Sequence, residues 1–243
     1  MNHVEPSSST PGKRPVRLHE LDMGATKLRI LAPADPDSLL DDPQLEDRYH
    51  ADNYLPYWPI IWPSALMLAE FILKTDQLPS ATRGSEVVMD LGCGLGIVGI
   101  SAALRGWKVE FTDYDPEAVQ FAEYNARGNG IPADRITAYQ MDWRQPVDKK
   151  FDWIIGSDVL YERRLHPLFL GAVEKLLAPN GVVWIADPRR TSAEDFPVFA
   201  AQQGFRVHCE ELPWTGEPGL SKDGLLMVLQ RVATHALPVH LEA

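Results

Sequence analysis

Residues 87–99, Val-Val-Met-Asp-Leu-Gly-Cys-Gly-Leu-Gly-Ile-Val-Gly, restrict the fold more than any other part of the chain. A short apolar run, Val87-Val88-Met89-Asp90, enters a turn with Gly92, Gly94, Gly96 and Gly99, and an apolar helical pattern continues to about Leu104. Glycine weakens helix and strand interiors alike, so this density requires a backbone that bends sharply and lets a ligand come close. A strand, a glycine turn and a helix in that order form the first step of an open parallel sheet, whose ligands sit beyond the carboxyl ends of the strands. The helix, expected to begin near Leu95, would offer N–H groups and a positive dipole end to a pyrophosphate or an amino-acid carboxylate.

The rest of the chain repeats that alternation. Strands are expected at Lys108–Thr112, Arg135–Gln140, Phe151–Gly156, Val182–Ala186, Phe205–Glu210 and Leu225–Gln230. Helices fit from Pro116 to about Arg127 and over about 165–177 and 193–203. This predicts an α/β fold, a Rossmann-like, mostly parallel sheet with helices on both faces. Upstream, 16–19 and 27–31 read as a short β-hairpin around Met23-Gly24. Residues 32–52, with Asp35, Asp37, Asp41, Asp42, Glu46 and Asp47, read as an acidic loop, and 53–63 as an aromatic stretch broken by prolines. Pro63 suits the first position of a helix through about Lys74, with Leu66, Ala69 and Leu73 on one face. The organisation read is a disordered tail at 1–15, one domain at 16–232 whose part 16–62 forms the hairpin and substrate-side loop, and a C-terminal tail at 233–243.

Composition removes several classes. The net charge of −11 over 243 residues weighs against a phosphate-tracking surface and for a basic or small partner. No apolar run approaches a membrane span, and 1–17 lacks the apolar core of a secretory signal. Cys93 and Cys209 give neither a disulfide framework nor a metal spacing, and His50, His166 and His208 share none. A cytoplasmic monomer without metal, nucleic acid or membrane partner is expected.

Two cofactor classes fit the glycine turn. Gly94-Leu95-Gly96-Ile97-Val98-Gly99 satisfies the dinucleotide GxGxxG, and Gly92-Cys93-Gly94-Leu95-Gly96 satisfies the loop of S-adenosylmethionine (SAM) enzymes. Asp113, about twenty residues on at a strand end, would accept both hydroxyls of a ribose and serves either. Asp115, before Pro116, is the better helix cap. After the third strand Asp142 could accept from an adenine amine and Trp143 could cover the ring, the alternative being a core tryptophan. After the fourth, Ser157-Asp158-Val159-Leu160-Tyr161 would face the ligand's reactive end.

With those residues the chain resembles the class I, seven-β-strand SAM-dependent methyltransferases. More narrowly it resembles the protein-lysine methyltransferase group that includes the electron-transfer flavoprotein β-subunit methyltransferase and bacterial nicotinamide N-methylase-like proteins. The matching residues are Trp62-Pro63-Ser64-Ala65, Asp90 through Gly96, Asp113, Asn125 and Asn129, Asp142-Trp143, Ser157 through Tyr161 and Asp187-Pro188-Arg189-Arg190. The resemblance implies a strand order of 3-2-1-4-5-7-6 with the last strand antiparallel. It also implies contacts to SAM from Trp62, the glycine loop, Asp113 and Trp143, and a substrate entrance lined by Asp158 and Tyr161. The cofactor set is therefore read as Trp62, Asp90, Gly92, Gly94, Gly96, Asp113, Asp142, Trp143 and Ser157. Methylases of amides and adenine carry Asn/Asp-Pro-Pro-Tyr after the fourth strand; this chain lacks those prolines, which argues against such targets.

Methyl transfer to a lysine needs a neutral amine, and holding it so at pH 7 costs roughly 4–5 kcal/mol against a pKa near 10.4. Tyr54, Tyr57, Trp58 and Trp62 are candidates for a partly dry wall that lowers this cost. Asp158 is assigned to docking and orientation, Tyr161 to positioning the amine, and proton loss to water; a general-base Asp158 is the weaker reading. The expected function is methylation of a protein lysine. Its rivals are a small amine or pyridine nitrogen as acceptor, an NAD-dependent oxidoreductase, and a silent SAM-binding protein.

Overall fold

The structure, a computed structural model, describes residues 3–4, 11, 14–43, 45–79, 87–213 and 223–232. It begins with a small antiparallel sheet of β1 (His3–Val4), β2 (Val16–Asp22) and β3 (Lys27–Pro33). The expected hairpin is present, with Gly24 at φ 83° in its turn and the Met23 N–H on the Thr26 carbonyl at 2.8 Å. β1 lies in the segment read as a disordered tail, paired with Val16 and Arg17. The rest of the 1–15 tail except residues 11, 14 and 15, and all of 233–243, lie outside the described residues.

The main sheet has seven strands: β4 (Val87–Leu91), β5 (Lys108–Asp113), β6 (Ile136–Gln140), β7 (Phe151–Ser157), β8 (Leu177–Asp187), β9 (Phe205–Leu212) and β10 (Gly224–Arg231). Their spatial order is β6-β5-β4-β7-β8-β10-β9. β10 runs antiparallel to both its neighbours and the other pairs are parallel, as the resemblance implied. Both faces of the central strands are apolar, so their sequences read as continuous apolar runs. Val88, Phe111, Trp153 and Trp184 pack on one side with α2 (Pro63–Lys74), α3 (Ile97–Leu104) and α4 (Pro116–Gly128). Met89, Ile154, Val183 and Ile185 pack on the other, with α5 (His166–Leu176) and α6 (Phe196–Gln202).

Two expectations are corrected. The buried face of α2 is Ala65, Leu68, Ala69 and Ile72, whereas Leu66 and Leu73 are only partly covered. The segment read as an acidic loop contains a 3-10 turn, Pro36–Leu39, and a helix, α1 (Leu45–Asp52). α1 buries no residue, so no apolar periodicity announced it. Among the described residues no helix is long and apolar enough to cross a membrane.

Candidate active site

The carboxyl ends of β4 and β5 lie side by side, and this register builds the site. Leu91 pairs with Thr112, whose carbonyl takes the N–H groups of Gly92 and Cys93 at 2.8 and 2.9 Å. The Gly94 N–H goes to Asp113 Oδ2 at 2.9 Å, tying the glycine loop to the next strand. Gly92, Gly94 and Gly96 all have positive φ, at 80°, 51° and 83°, which only glycine adopts without strain. At Gly92 a Cβ would press on Val159 and Trp143, and at Gly94 on the Trp58 carbonyl at 3.2 Å. These two glycines keep a cradle open.

Gly96 and Asp90, both read as cofactor contacts, do not line the cavity. Gly96 caps α3, which begins at Ile97 rather than Leu95, and its Cβ position is filled by Ala122 of α4 at 2.9 Å. Asp90 is buried, and its Oδ2 accepts the Gly99 N–H at 2.9 Å. Burial pushes the Asp90 carboxyl up to about 7, with the Gly99 N–H pulling it down and the Asp113 charge adding to the rise. The Gly92, Cys93, Gly94, Gly96 and Gly99 N–H groups thus all have acceptors within the protein. The glycines serve backbone shape and room more than donation to a ligand.

Beyond the cradle lies a cavity of about 380 Å³ lined by Trp62, Gly92, Gly94, Asp113, Asp142, Trp143, Ser157, Asp158 and Tyr161, all expected from the sequence. That volume falls in the roughly 300–1,000 Å³ span of small-molecule sites. Asp113 Oδ1 accepts the Asp115 N–H at 3.0 Å, so each of its oxygens holds one protein donor and keeps a lone pair for a diol. Burial pushes the Asp113 carboxyl up to about 6 against the pull of those N–H groups. Asp115 caps α4 as expected, taking the Glu117 N–H at 2.8 Å.

The Asp142 end carries a polar network invisible in the sequence. Asp142 accepts from Arg144 Nε at 2.9 and 2.7 Å, and Arg144 also reaches Asp52 Oδ2 at 3.3 Å and the Tyr114 hydroxyl at 3.4 Å. Burial pushes the Asp142 carboxyl up, and the Arg144 hydrogen bonds outweigh it and hold the group below its usual range. Trp143 is half-buried and meets Phe169 edge-on, centroids 5.2 Å apart.

The opposite end is aromatic. Tyr57 meets Tyr161 at 5.3 Å and Trp62 at 6.3 Å, both edge-on, and the Trp62 indole N–H donates to the Tyr57 carbonyl at 3.1 Å. Burial raises the Tyr161 phenol well above its ordinary value, with Glu162 and Asp113 adding to the shift, so the hydroxyl stays protonated. Asp158 sits at φ 56°, buried, with Oδ2 on the Ser64 hydroxyl at 3.3 Å and Oδ1 on Arg190 Nε. The Arg190 guanidinium lies 5.2 Å from the Trp62 ring centre. The Asp158–Arg190 pair was missed because the partners are 32 residues apart; the signals for Arg190 itself were its position just past the end of β8 and its place in the Asp187-Pro188-Arg189-Arg190 match. Trp58, expected in the aromatic wall, is buried against Phe121, and Tyr54 is half-buried with its hydroxyl on Asp115. Cys93 is buried with its thiol pushed up by burial, which leaves no reactive thiolate.

Residues 58–201, from Trp58 across the glycine loop into α6, match the model of a family described as lysine methyltransferase. The chain belongs to that family. Its relatives include the EEF1A lysine methyltransferase 3 of Mus musculus, 32% identical over 141 residues, 56% of this chain and 59% of the relative. The protein-lysine N-methyltransferase rrg1 of Schizosaccharomyces pombe is 34% identical over 153 residues, 57% of this chain and 49% of the relative. The electron transfer flavoprotein beta subunit lysine methyltransferase of Xenopus laevis is 30% identical over 145 residues, 59% and 56%. The chain thus spans about half to three-fifths of the length of these relatives. Among solved structures, the glycopeptide N-methyltransferase MtfA complexed with SAM has a TM-score of 0.52 at 18% identity, over 70% of this chain and 94% of the other. The mitomycin 7-O-methyltransferase MmcR has a TM-score of 0.55 at 14% identity, over 79% and 59%. These likenesses show the same methyltransferase fold.

Proposed function

We propose that the chain is a SAM-dependent N-methyltransferase whose acceptor is a lysine side chain of a protein. The observation that carries this reading is the division of one cavity into two chemistries, in a chain of the lysine methyltransferase family. At one end Asp113 keeps lone pairs for a ribose diol, Gly92 and Gly94 leave room for a ligand's backbone-like portion, and Asp142 with Trp143 suits an adenine. These residues fit SAM and would hold it. At the other end Tyr57, Trp62 and Tyr161, in edge-on contact, line the cavity together with Asp158, a set suited to an alkyl chain that ends in an amine.

When bound, SAM would supply an electrophilic methyl carbon on a sulfonium, with a neutral thioether as the leaving group. The protein's contribution is alignment and exclusion of water, since direct displacement needs no covalent enzyme intermediate. Tyr161, held protonated, positions the amine and is no base. The amine's proton leaves to water before attack.

Relatives named for EEF1A, calmodulin and the electron transfer flavoprotein β-subunit act on proteins by their names, which supports a protein acceptor here. The test is incubation with methyl-labelled SAM and a lysate of the source organism, split into macromolecular and small-molecule fractions. Acid-stable label on lysine in one or a few protein bands is expected. Label confined to small molecules would move the acceptor to a small amine or pyridine nitrogen.

A further inference from the structure

A carboxylate beside the acceptor amine acts in two directions. It draws in an ammonium, then stabilises the protonated form, which has no lone pair to attack with. Asp158 does not face the cavity as a bare carboxylate. Its side chain is 4% exposed, while that of Arg190, its ion-pair partner, is 32% exposed. Both line the cavity, so the accessible end of the pair is the guanidinium. Arg190 is fixed from three sides: its Nε on Asp158, its guanidinium over Trp62, and its backbone N–H on Asp187 Oδ1 at 2.6 Å.

The other described groups that line this end of the cavity add no unpaired charge beside Arg190. Asp187 at the end of β8 is 1% exposed and lies behind Arg190. Glu162 is paired with Arg164, Asp113 sits at the ribose end, Trp62 and Ser64 are uncharged side chains, and the Tyr161 phenol is kept protonated by burial. Those groups are the same with or without Arg190. Removing Arg190 therefore subtracts one positive charge next to the amine, whatever field the rest supply. A guanidinium keeps its charge at every working pH.

We propose that Arg190 is a positioning residue for the acceptor: seated between the Asp158 carboxylate and the Trp62 ring, it offsets the carboxylate's charge and keeps the bound amine neutral and nucleophilic. This rests on the amine-methylation reading of the site. Asp158 then orients the amine through its fixed geometry without trapping the ammonium, whose proton passes to solvent water.

The quantity to follow is kcat at saturating acceptor, since it reports ionisations in the enzyme–substrate complex, whereas kcat/KM reports the free species. Wild type, Arg190→Gln and Arg190→Lys are compared across pH with the protein recovered from the lysate labelling as acceptor. In Arg190→Gln the acidic limb of kcat should move up by about one pH unit, a tenfold loss on the acid side, and converge on wild type at alkaline pH. Arg190→Lys, which keeps the charge, should keep the wild-type limb. An equal loss at every pH, or an unmoved limb, overturns the proposal in favour of a structural role. A second measurement needs no protein acceptor. Butylamine is titrated into the complex with S-adenosylhomocysteine by calorimetry, in two buffers of different ionisation enthalpy at about pH 8. Wild type should release close to one proton per amine bound, and Arg190→Gln much less. No butylamine binding, no proton release by wild type, or equal release by both proteins overturns the proposal. Failure of the methyltransfer reading would show itself separately, as a lysate in which neither fraction takes label.

Discussion

Asp113 carries two loads at once: its oxygens accept the Gly94 and Asp115 N–H groups, tying the glycine loop to the following turn, and the residue lines the cavity. Asp113→Ala should lower SAM affinity by about 1.5–3 kcal/mol by calorimetry, the range for hydrogen bonds to a charged group. The carboxyl is held up near 6, and a protonated carboxyl loses acceptor capacity. SAM affinity should therefore fall as pH drops below about 6, and Asp113→Asn should be weak at all pH with that dependence gone. Asp158→Asn and Tyr161→Phe act at the other end of the cavity. Both should cut turnover strongly while SAM affinity stays within about threefold, roughly 0.7 kcal/mol; loss of SAM binding in a folded variant would contradict the division of the site. The sequence named Asp113, Asp158 and Tyr161 because each follows a strand end at the edge where ligands bind. Arg190 entered only within the Asp187-Pro188-Arg189-Arg190 match and Arg144 not at all, because their roles come from partners that the fold brings near. Asp90 misled for the opposite reason: it stands in the glycine motif, yet its carboxylate turns inward to the Gly99 N–H.

Among the elements, α4 and α1 are opposites in how they are held. α4 and its C-terminal cap present Asn125 and Asn129, one turn apart, to the edge of β3. Asn125 accepts the Leu31 N–H and donates to the Leu31 and Leu95 carbonyls at 2.8, 3.0 and 3.0 Å, and Asn129 exchanges the same pair of bonds with Arg29. Two amide side chains thus complete the edge of β3. Asn125 is 1% exposed, so Asn125→Ala would strand buried backbone groups, and denaturant unfolding should show a loss of about 2–4 kcal/mol. α1 has no buried residue and is docked by Arg48 on Asp115 at 3.1 Å, by Asp52 on Tyr114 and Arg144, and by Arg164 on the Asp52 and Asn53 carbonyls. A helix of eight residues held that way has little stability of its own. Hydrogen exchange should be far faster in α1 than in α4, and Arg48→Ala should speed it further; equal protection of the two helices would contradict this account. The same contrast explains what the sequence revealed. Helices opened by Pro63 and Pro116, and strands with apolar runs, were readable from local pattern. α1, built of polar side chains that find partners elsewhere in the chain, was not.

Across the molecule, three carboxyls lie at the carboxyl ends of β4, β5 and β8; Asp113 lines the cavity, while Asp90 and Asp187 are buried and do not. Burial pushes Asp90 up to about 7 and Asp113 and Asp187 up to about 6. Each therefore binds its proton more tightly folded than unfolded. Unfolding between about pH 4 and 7 releases those protons, so stability should fall as pH rises through this window and level off above it. Carboxylates in favourable ion pairs give the opposite slope at lower pH, below the ordinary carboxyl range. Of the three only Asp113 lines the cavity, and there the stability given up keeps a charged acceptor in the site, a pattern expected of a functional carboxylate. Urea unfolding of the cofactor-free protein should give a lower midpoint at pH 8 than at pH 5.5, with unchanged slope. Asp90→Asn, which keeps a side-chain oxygen for the Gly99 N–H but cannot titrate, should flatten the upper part of that decline. A midpoint that rises steadily from pH 5.5 to pH 8 in the wild type would show that these carboxyls are hydrated in solution, and with that the tight packing of the glycine loop on Asp90 would have to be given up.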